Sequence, residues 1–162
     1  MRSNHWMMGG MAAAVMLWGG AAGAMAAPAA EQVRGQVAKG NNFVVNADVP
    51  ACHPGAECKI DLKLEAQGDF HVNKEYPYKF KATDAAGVEF LGKDPAGKNV
   101  FSKAAGDFAL NPGNEKQGTM TLKFKAAHAG NVTIAGQFKL SVCSAANCML
   151  ETADVSVPVT VR

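Results

Sequence analysis

The sequence lacks an excess of charge of either sign. Its 16 Lys and Arg residues stand against 14 Asp and Glu residues, which gives a formal net charge of +2 at pH 7. The charges are interspersed along the chain, as expected for a solvated surface. Composition therefore gives no electrostatic basis for binding nucleic acid or an acidic membrane surface.

Several chemical signatures are also missing. The four cysteines form no Cys-x-x-Cys, and the histidines show no pair at ligand spacing, so no zinc or covalent haem site is predicted. A copper site using Met149 and one of His53, His71 and His128 is an alternative, but it needs cysteines that are not bonded to each other. No Ser/His/Asp arrangement predicts a hydrolase. We expect no metal and no cofactor.

The N-terminus predicts export. Arg2 precedes an apolar run over 7–24, and Ala24-Met25-Ala26 is the small-x-small pattern that precedes signal cleavage. We expect a signal peptide at 1–26, cleavage after Ala26, and a periplasmic or secreted location. No second long apolar segment follows, so we expect no membrane insertion after cleavage. A transmembrane anchor is the alternative interpretation of this run.

The remaining chain shows β-strand periodicity and no capped helical pattern. Residues 27–40 are predicted to be a flexible lead-in and 41–162 a single domain. Apolar and polar residues alternate, one face toward a core, over 59–65, 119–125, 137–142 and 155–161. Pro- and Gly-containing turns separate these segments. The pattern predicts an immunoglobulin-like antiparallel β-sandwich, with a small barrel as the alternative. Pro158 is expected on an edge strand or at a bulge.

The cysteines are even in number and all follow the cleavage site. Cys52, Cys58, Cys143 and Cys148 therefore predict two disulfides in an oxidising compartment. Three connectivities are possible, and the local one, Cys52 with Cys58 and Cys143 with Cys148, requires the least rearrangement of the chain. We interpret Cys52 and Cys58 as a structural disulfide that clamps the start of the following strand.

The segment 138–151 is the strongest candidate for chemistry. A strand runs into Cys143, four small or polar residues turn the chain, and the next strand leaves from Cys148. Facing residues of a hairpin lie within disulfide range. Closing so short a loop stabilises a fold by only about 2 kcal/mol. Such a bond suits either thiol–disulfide exchange or a simple structural staple, and the residues alone leave both open.

The Phe-x-x-x-Val-Cys-x-x-x-x-Cys-x-x-Glu pattern of 138–151 in an exported sandwich resembles the N-terminal domain of the periplasmic thiol:disulfide interchange protein DsbD. Phe70-His71-Val72-Asn73 adds weaker support. Met149 and Leu150 depart from that family, which has an aromatic residue and prolines after its second cysteine. The family also shields its pair with an aromatic cap loop, for which Phe70, Tyr76 and Tyr78 are available here.

The resemblance implies that Cys143 and Cys148 form a redox pair. It also implies a protein-disulfide reductase partner domain, which exchanges electrons with periplasmic thiol/disulfide proteins or a membrane electron donor. We expect a monomer. The alternative function is a non-catalytic, secreted immunoglobulin-like binding module in which both disulfides are structural.

Overall fold

A computed structural model of the chain describes residues 33–162. The predicted signal peptide and residues 27–32 of the predicted lead-in lie outside this range. The described part contains eleven strands and no helix. The strands are β1 Val33–Lys39, β2 Phe43–Val49, β3 Glu57–Ala66, β4 His71–Val72, β5 Lys79–Ala82, β6 Val88–Phe90, β7 Val100–Ser102, β8 Phe108–Leu110, β9 Gln117–Ala126, β10 Gly130–Cys143 and β11 Cys148–Val161.

Within residues 33–162 the strands form two antiparallel sheets. One has the order β1-β2-β3-β9-β6, with β8 also paired to β9. The other has the order β11-β10-β5-β7, with β4 also paired to β10. The two sheets stay open and do not close into the barrel that was the alternative. The predicted antiparallel β-sandwich is confirmed.

The core lies between the sheets and contains the apolar residues of the alternating segments. Strands β3, β9 and β10 each bury every second side chain over most of their length. Burying one large aliphatic or aromatic side chain stabilises a fold by about 1.5–3 kcal/mol. The predicted inward faces are therefore confirmed, with these side chains essentially inaccessible: Ile60, Leu62, Leu64, Met120, Leu122, Phe124, Phe138, Leu140 and Val142.

The longest element is the β10–β11 hairpin. Its register runs without a bulge from Gly130 opposite Val161 to Cys143 opposite Cys148. Strand β11 ends the path of its sheet, and Pro158 is exposed there. Pro158 was predicted on an edge strand or at a bulge, and the structure has it on an edge strand. A residue without an N–H is tolerated there because no further strand needs a donor.

The predicted lead-in differs from the structure over its second half. Residues 33–39 form β1, which pairs antiparallel with β2. A bulge lies between Gln36 and Ala38, and Val37 and Ala38 pack against the core. The sequence here has no clear alternation of apolar and polar residues. The strand forms because its backbone pairs with the edge of β2. Among the described residues, no helix has the length and hydropathy needed to cross a membrane.

Candidate functional site

The hairpin cysteines are bonded to each other at the end of the β10–β11 ladder. Cys143 and Cys148 form a disulfide with their Cα atoms 3.9 Å apart. Cys52 and Cys58 form the other disulfide, and residues 33–162 contain no free cysteine. Of the three possible connectivities, the structure therefore has the local one.

The turn between the hairpin cysteines is held by Ser144. Its backbone N–H donates to the carbonyl of Asn147 at 2.8 Å. Its hydroxyl oxygen accepts from the N–H groups of Ala146 at 3.2 Å and Asn147 at 3.3 Å. Because hydrogen-bonded and non-hydrogen-bonded pairs alternate along an antiparallel ladder, Cys143 and Cys148 occupy the non-hydrogen-bonded position, where side chains lie closest.

The two halves of this disulfide differ in exposure. Cys143 is 5% exposed, whereas Cys148 is exposed. The difference follows from the sheet order, because β10 has a neighbour on each side and β11 is an edge strand. Leu150, 69% exposed, lies two residues beyond Cys148 on the same face of β11. A thiol that approaches from solvent therefore meets Cys148, beside an apolar side chain.

On the other side of β10, the short strand β4 places His71 directly opposite Cys143. The next residues continue the attachment: the N–H of Asn73 donates to the carbonyl of Ser141 at 3.1 Å. The side-chain amide of Asn73 also donates to the Ser141 hydroxyl at 3.3 Å. Side chains of opposed residues point to the same side of a sheet. The half-buried His71 therefore lies beside Cys143 on one side, and Cys148 lies beside it on the other.

A carboxylate lies beyond β4. The N–H of Val72 donates to the backbone carbonyl of Glu115 at 2.9 Å. The side chain of Glu115 accepts a hydrogen bond of 2.7 Å from Lys74. That bond and the Lys74 charge lower the pKa of Glu115, and the nearby His71 acts in the same direction. The same interaction raises the pKa of Lys74. The carboxylate is therefore ionised at neutral pH, next to the histidine.

The aromatic segment around 70–78 anchors this region from beneath. Tyr78 is fully buried, stacks on Phe108 with ring centroids 3.9 Å apart, and donates its hydroxyl to the Ser141 carbonyl at 2.7 Å. Burial raises the pKa of Tyr78 far above its ordinary value. Phe70 and Tyr76 are half-buried and pack against the core. Packing therefore accounts for these aromatic side chains, and Tyr78 holds β10 two residues before Cys143.

The Cys52–Cys58 disulfide has a different environment. Its Cα atoms are 5.1 Å apart, and the two residues are 1% and 3% exposed. Cys52 forms a parallel bridge with Val161, and its carbonyl accepts from the N–H of Arg162 at 2.9 Å. Cys58 belongs to β3 in the other sheet. This bond therefore ties the two sheets together at the end of β11.

An open groove of about 950 Å³ lies elsewhere on the described part of the protein. Its lining includes Gln137, six residues before Cys143 on β10, which corresponds to about 20 Å along a strand. The cysteines do not line it. Residues 33–162 contain no group of three or more His, Cys, Asp or Glu side chains arranged to hold a metal ion.

The other two histidines of residues 33–162 lie away from the hairpin cysteines. His53 forms a hydrogen bond through its ring Nδ1 with the carbonyl of Arg162, at the other end of β11. His128 is exposed in the turn between β9 and β10. Of His53, His71 and His128, only His71 lies beside the cysteine pair. The sequence could not predict this, because a strand of two residues is too short to show a periodic pattern.

Comparisons of the chain with protein-family models, with curated proteins and with solved structures found no match. Its function is therefore inferred from the cysteine hairpin itself.

Proposed function

We propose that this chain is an exported thiol–disulfide exchange domain that relays electrons through Cys143 and Cys148. The resemblance of 138–151 to the DsbD N-terminal domain supports this function. The observation that supports it most directly is a disulfide at the open end of a long hairpin, with one buried and one exposed half. Such a bond can open while the ladder below it stays paired.

The difference in exposure between the two cysteines supports different roles for their sulfurs. A partner thiolate attacks the exposed Cys148 sulfur, a mixed disulfide forms there, and Cys143 leaves with the electron pair of the broken bond. A second partner thiol then attacks the partner sulfur of the mixed disulfide and releases Cys148. Two electrons have moved from the partner to the cysteine pair. The same steps in reverse reduce a partner disulfide.

The partners that fit this chemistry are exported proteins with a reactive thiol pair or disulfide, or a membrane-bound electron donor. No cofactor is needed, since the electrons travel as thiol pairs. The exposed side chain of Leu150, on the face that presents Cys148, offers such a partner an apolar contact. The relay operates in an oxidising compartment, where a cysteine pair persists as a disulfide between encounters.

The reduction potential of the Cys143–Cys148 bond tests the proposal. It is measured by equilibration with glutathione buffers, with alkylation and mass spectrometry to follow this disulfide separately from Cys52–Cys58. We expect a value near or above about −230 mV, as in proteins that exchange disulfides. A value below about −300 mV is typical of structural bonds. That result would favour the alternative, a non-catalytic binding module.

A trapping experiment tests the roles of the two sulfurs. The Cys143→Ser variant leaves the exposed Cys148 without its intramolecular partner, so we expect it to accumulate mixed disulfides with exported proteins. The matched Cys148→Ser variant keeps only the buried thiol of this pair, and we expect it to trap far less. Equal trapping by both variants would contradict the assigned roles. No trapping by either would remove the support for a relay.

A further inference from the structure

His71 occupies a position that the exchange reaction can use. It lies opposite Cys143 in the β4–β10 register, while Cys148 lies opposite Cys143 on the other side. The three side chains therefore form one row on one face of the sheet, with Cβ atoms of neighbours about 5 Å apart. The buried Cys143 is the sulfur that leaves when Cys148 is attacked, and it has little access to water as a proton source.

We propose, on the basis of the proposed exchange function, that His71 is the acid–base partner of Cys143. When a partner thiolate attacks Cys148, the disulfide breaks and its electron pair remains on Cys143. The His71 imidazolium gives its proton to that thiolate, which leaves a neutral imidazole and a Cys143 thiol. When the disulfide re-forms, the imidazole takes the proton back, and Cys143 attacks as a thiolate.

Glu115 places a negative charge near His71. The backbone bond between Val72 and Glu115 fixes this segment beside β4, and the Glu115 carboxylate is close enough to His71 for their charges to interact. The Glu115 carboxylate accepts its hydrogen bond from Lys74, so it contributes a nearby negative charge and does not orient the imidazole ring. The order across the sheet is His71, Cys143, Cys148.

Other charged groups also surround the histidine. Four segments lie near it: its own segment, strand β10, the end of β3 and the residues before β9. Their titratable or charged residues are Asp69, Lys74, Cys143, Glu65, Glu115 and Lys116. Lys74 is paired with Glu115, and Lys116 donates to the carbonyl of Gly68 at 2.6 Å. The two lysines therefore have partners of their own, and Cys143 is the group opposite His71 that gains charge during exchange.

The test is the pH dependence of disulfide reduction in the full mature chain, with dithiothreitol as the probe. The rate constant for opening Cys143–Cys148 is divided by the concentration of dithiothreitol thiolate at each pH from 5 to 8.5. In the wild type we expect this normalised rate to rise as pH falls through the titration of an imidazole. In His71→Gln we expect a flat profile, about tenfold or more lower at pH 5.5. His128→Gln, at an exposed turn, should match the wild type.

Each outcome bears on the proposal. A wild-type profile that is already flat, or a His71→Gln profile that keeps the wild-type rise, would overturn the role of His71. If the wild-type bond resists dithiothreitol as strongly as Cys52–Cys58, the exchange function itself fails and this inference fails with it. Should His71→Gln not fold, NMR of the His71 ring in the wild type decides. We expect its ring resonances to differ between the oxidised and reduced states, and unchanged resonances would contradict the role.

Discussion

Removal of the hairpin disulfide is expected to weaken the domain only slightly. The Cys143→Ala/Cys148→Ala variant opens a loop with a sequence separation of 5. Chain entropy gives about 2 kcal/mol for a loop this short. Less packing is lost than at a pair that is buried on both sides, because only Cys143 is buried, Cys148 is exposed, and the β10–β11 ladder continues to Gly130. For a domain of this size, the expected decrease in Tm is about 7 °C.

The matched control is Cys52→Ala/Cys58→Ala. Its loop has a sequence separation of 6, so the entropic contribution is again about 2 kcal/mol. These residues are 1% and 3% exposed, so truncation also leaves a cavity between the sheets. We expect a total loss of about 3–5 kcal/mol. Urea unfolding followed by far-ultraviolet circular dichroism measures both variants.

One result of these unfolding measurements would contradict the exchange function. If the hairpin variant loses as much stability as the control, or fails to fold, the Cys143–Cys148 bond is part of the structural framework. An exchange reaction that opens it would then unfold the domain with each cycle.

Three further changes test the packing and charges around this framework. Gly136→Ala in β10 would place a Cβ against the backbone carbonyl of the neighbouring strand β5, and we expect a loss of about 2–3 kcal/mol in urea unfolding. Tyr78→Phe removes the 2.7 Å hydrogen bond to Ser141 and should cost about 1 kcal/mol, with the hairpin disulfide still formed by mass spectrometry. The hydrogen bond from Lys63 lowers the pKa of Asp48, so its stabilisation is present above the unfolded pKa of about 3.9 and is lost as pH falls through the lower folded value. Lys63→Met should therefore lose less than about 1 kcal/mol at pH 7, and unfolding at about pH 2 should show no difference from the wild type.

The sandwich was predictable because its strands each face a core on one side and water on the other. In β3, for example, Ile60, Leu62 and Leu64 alternate with Lys59, Asp61 and Lys63, and the structure buries the first three. Strand β1 was missed because its residues show no alternation. It is held by backbone hydrogen bonds to β2, which any sequence without proline can make.

The candidate site was predictable in part. The spacing of Cys143 and Cys148 around a short polar turn indicated a hairpin, and a hairpin places its ends within bonding distance. The difference in exposure between the two cysteines was not predictable, because it depends on which strand has neighbours on both sides. Sheet order is decided by pairing between segments far apart in the chain.

The sequence by itself determined the strand periodicity, favoured the local pairing of the cysteines and restricted Pro158 to an edge strand or a bulge, since each follows from the chemistry of neighbouring residues. The tertiary structure alone decided that β4 lies beside β10, that His71 therefore stands opposite Cys143, and that Glu115 lies beyond it. These residues are separated by tens of positions in the chain. They meet because backbone groups of the two-residue strand β4 form hydrogen bonds with β10. No pattern of side chains along the sequence predicts this pairing.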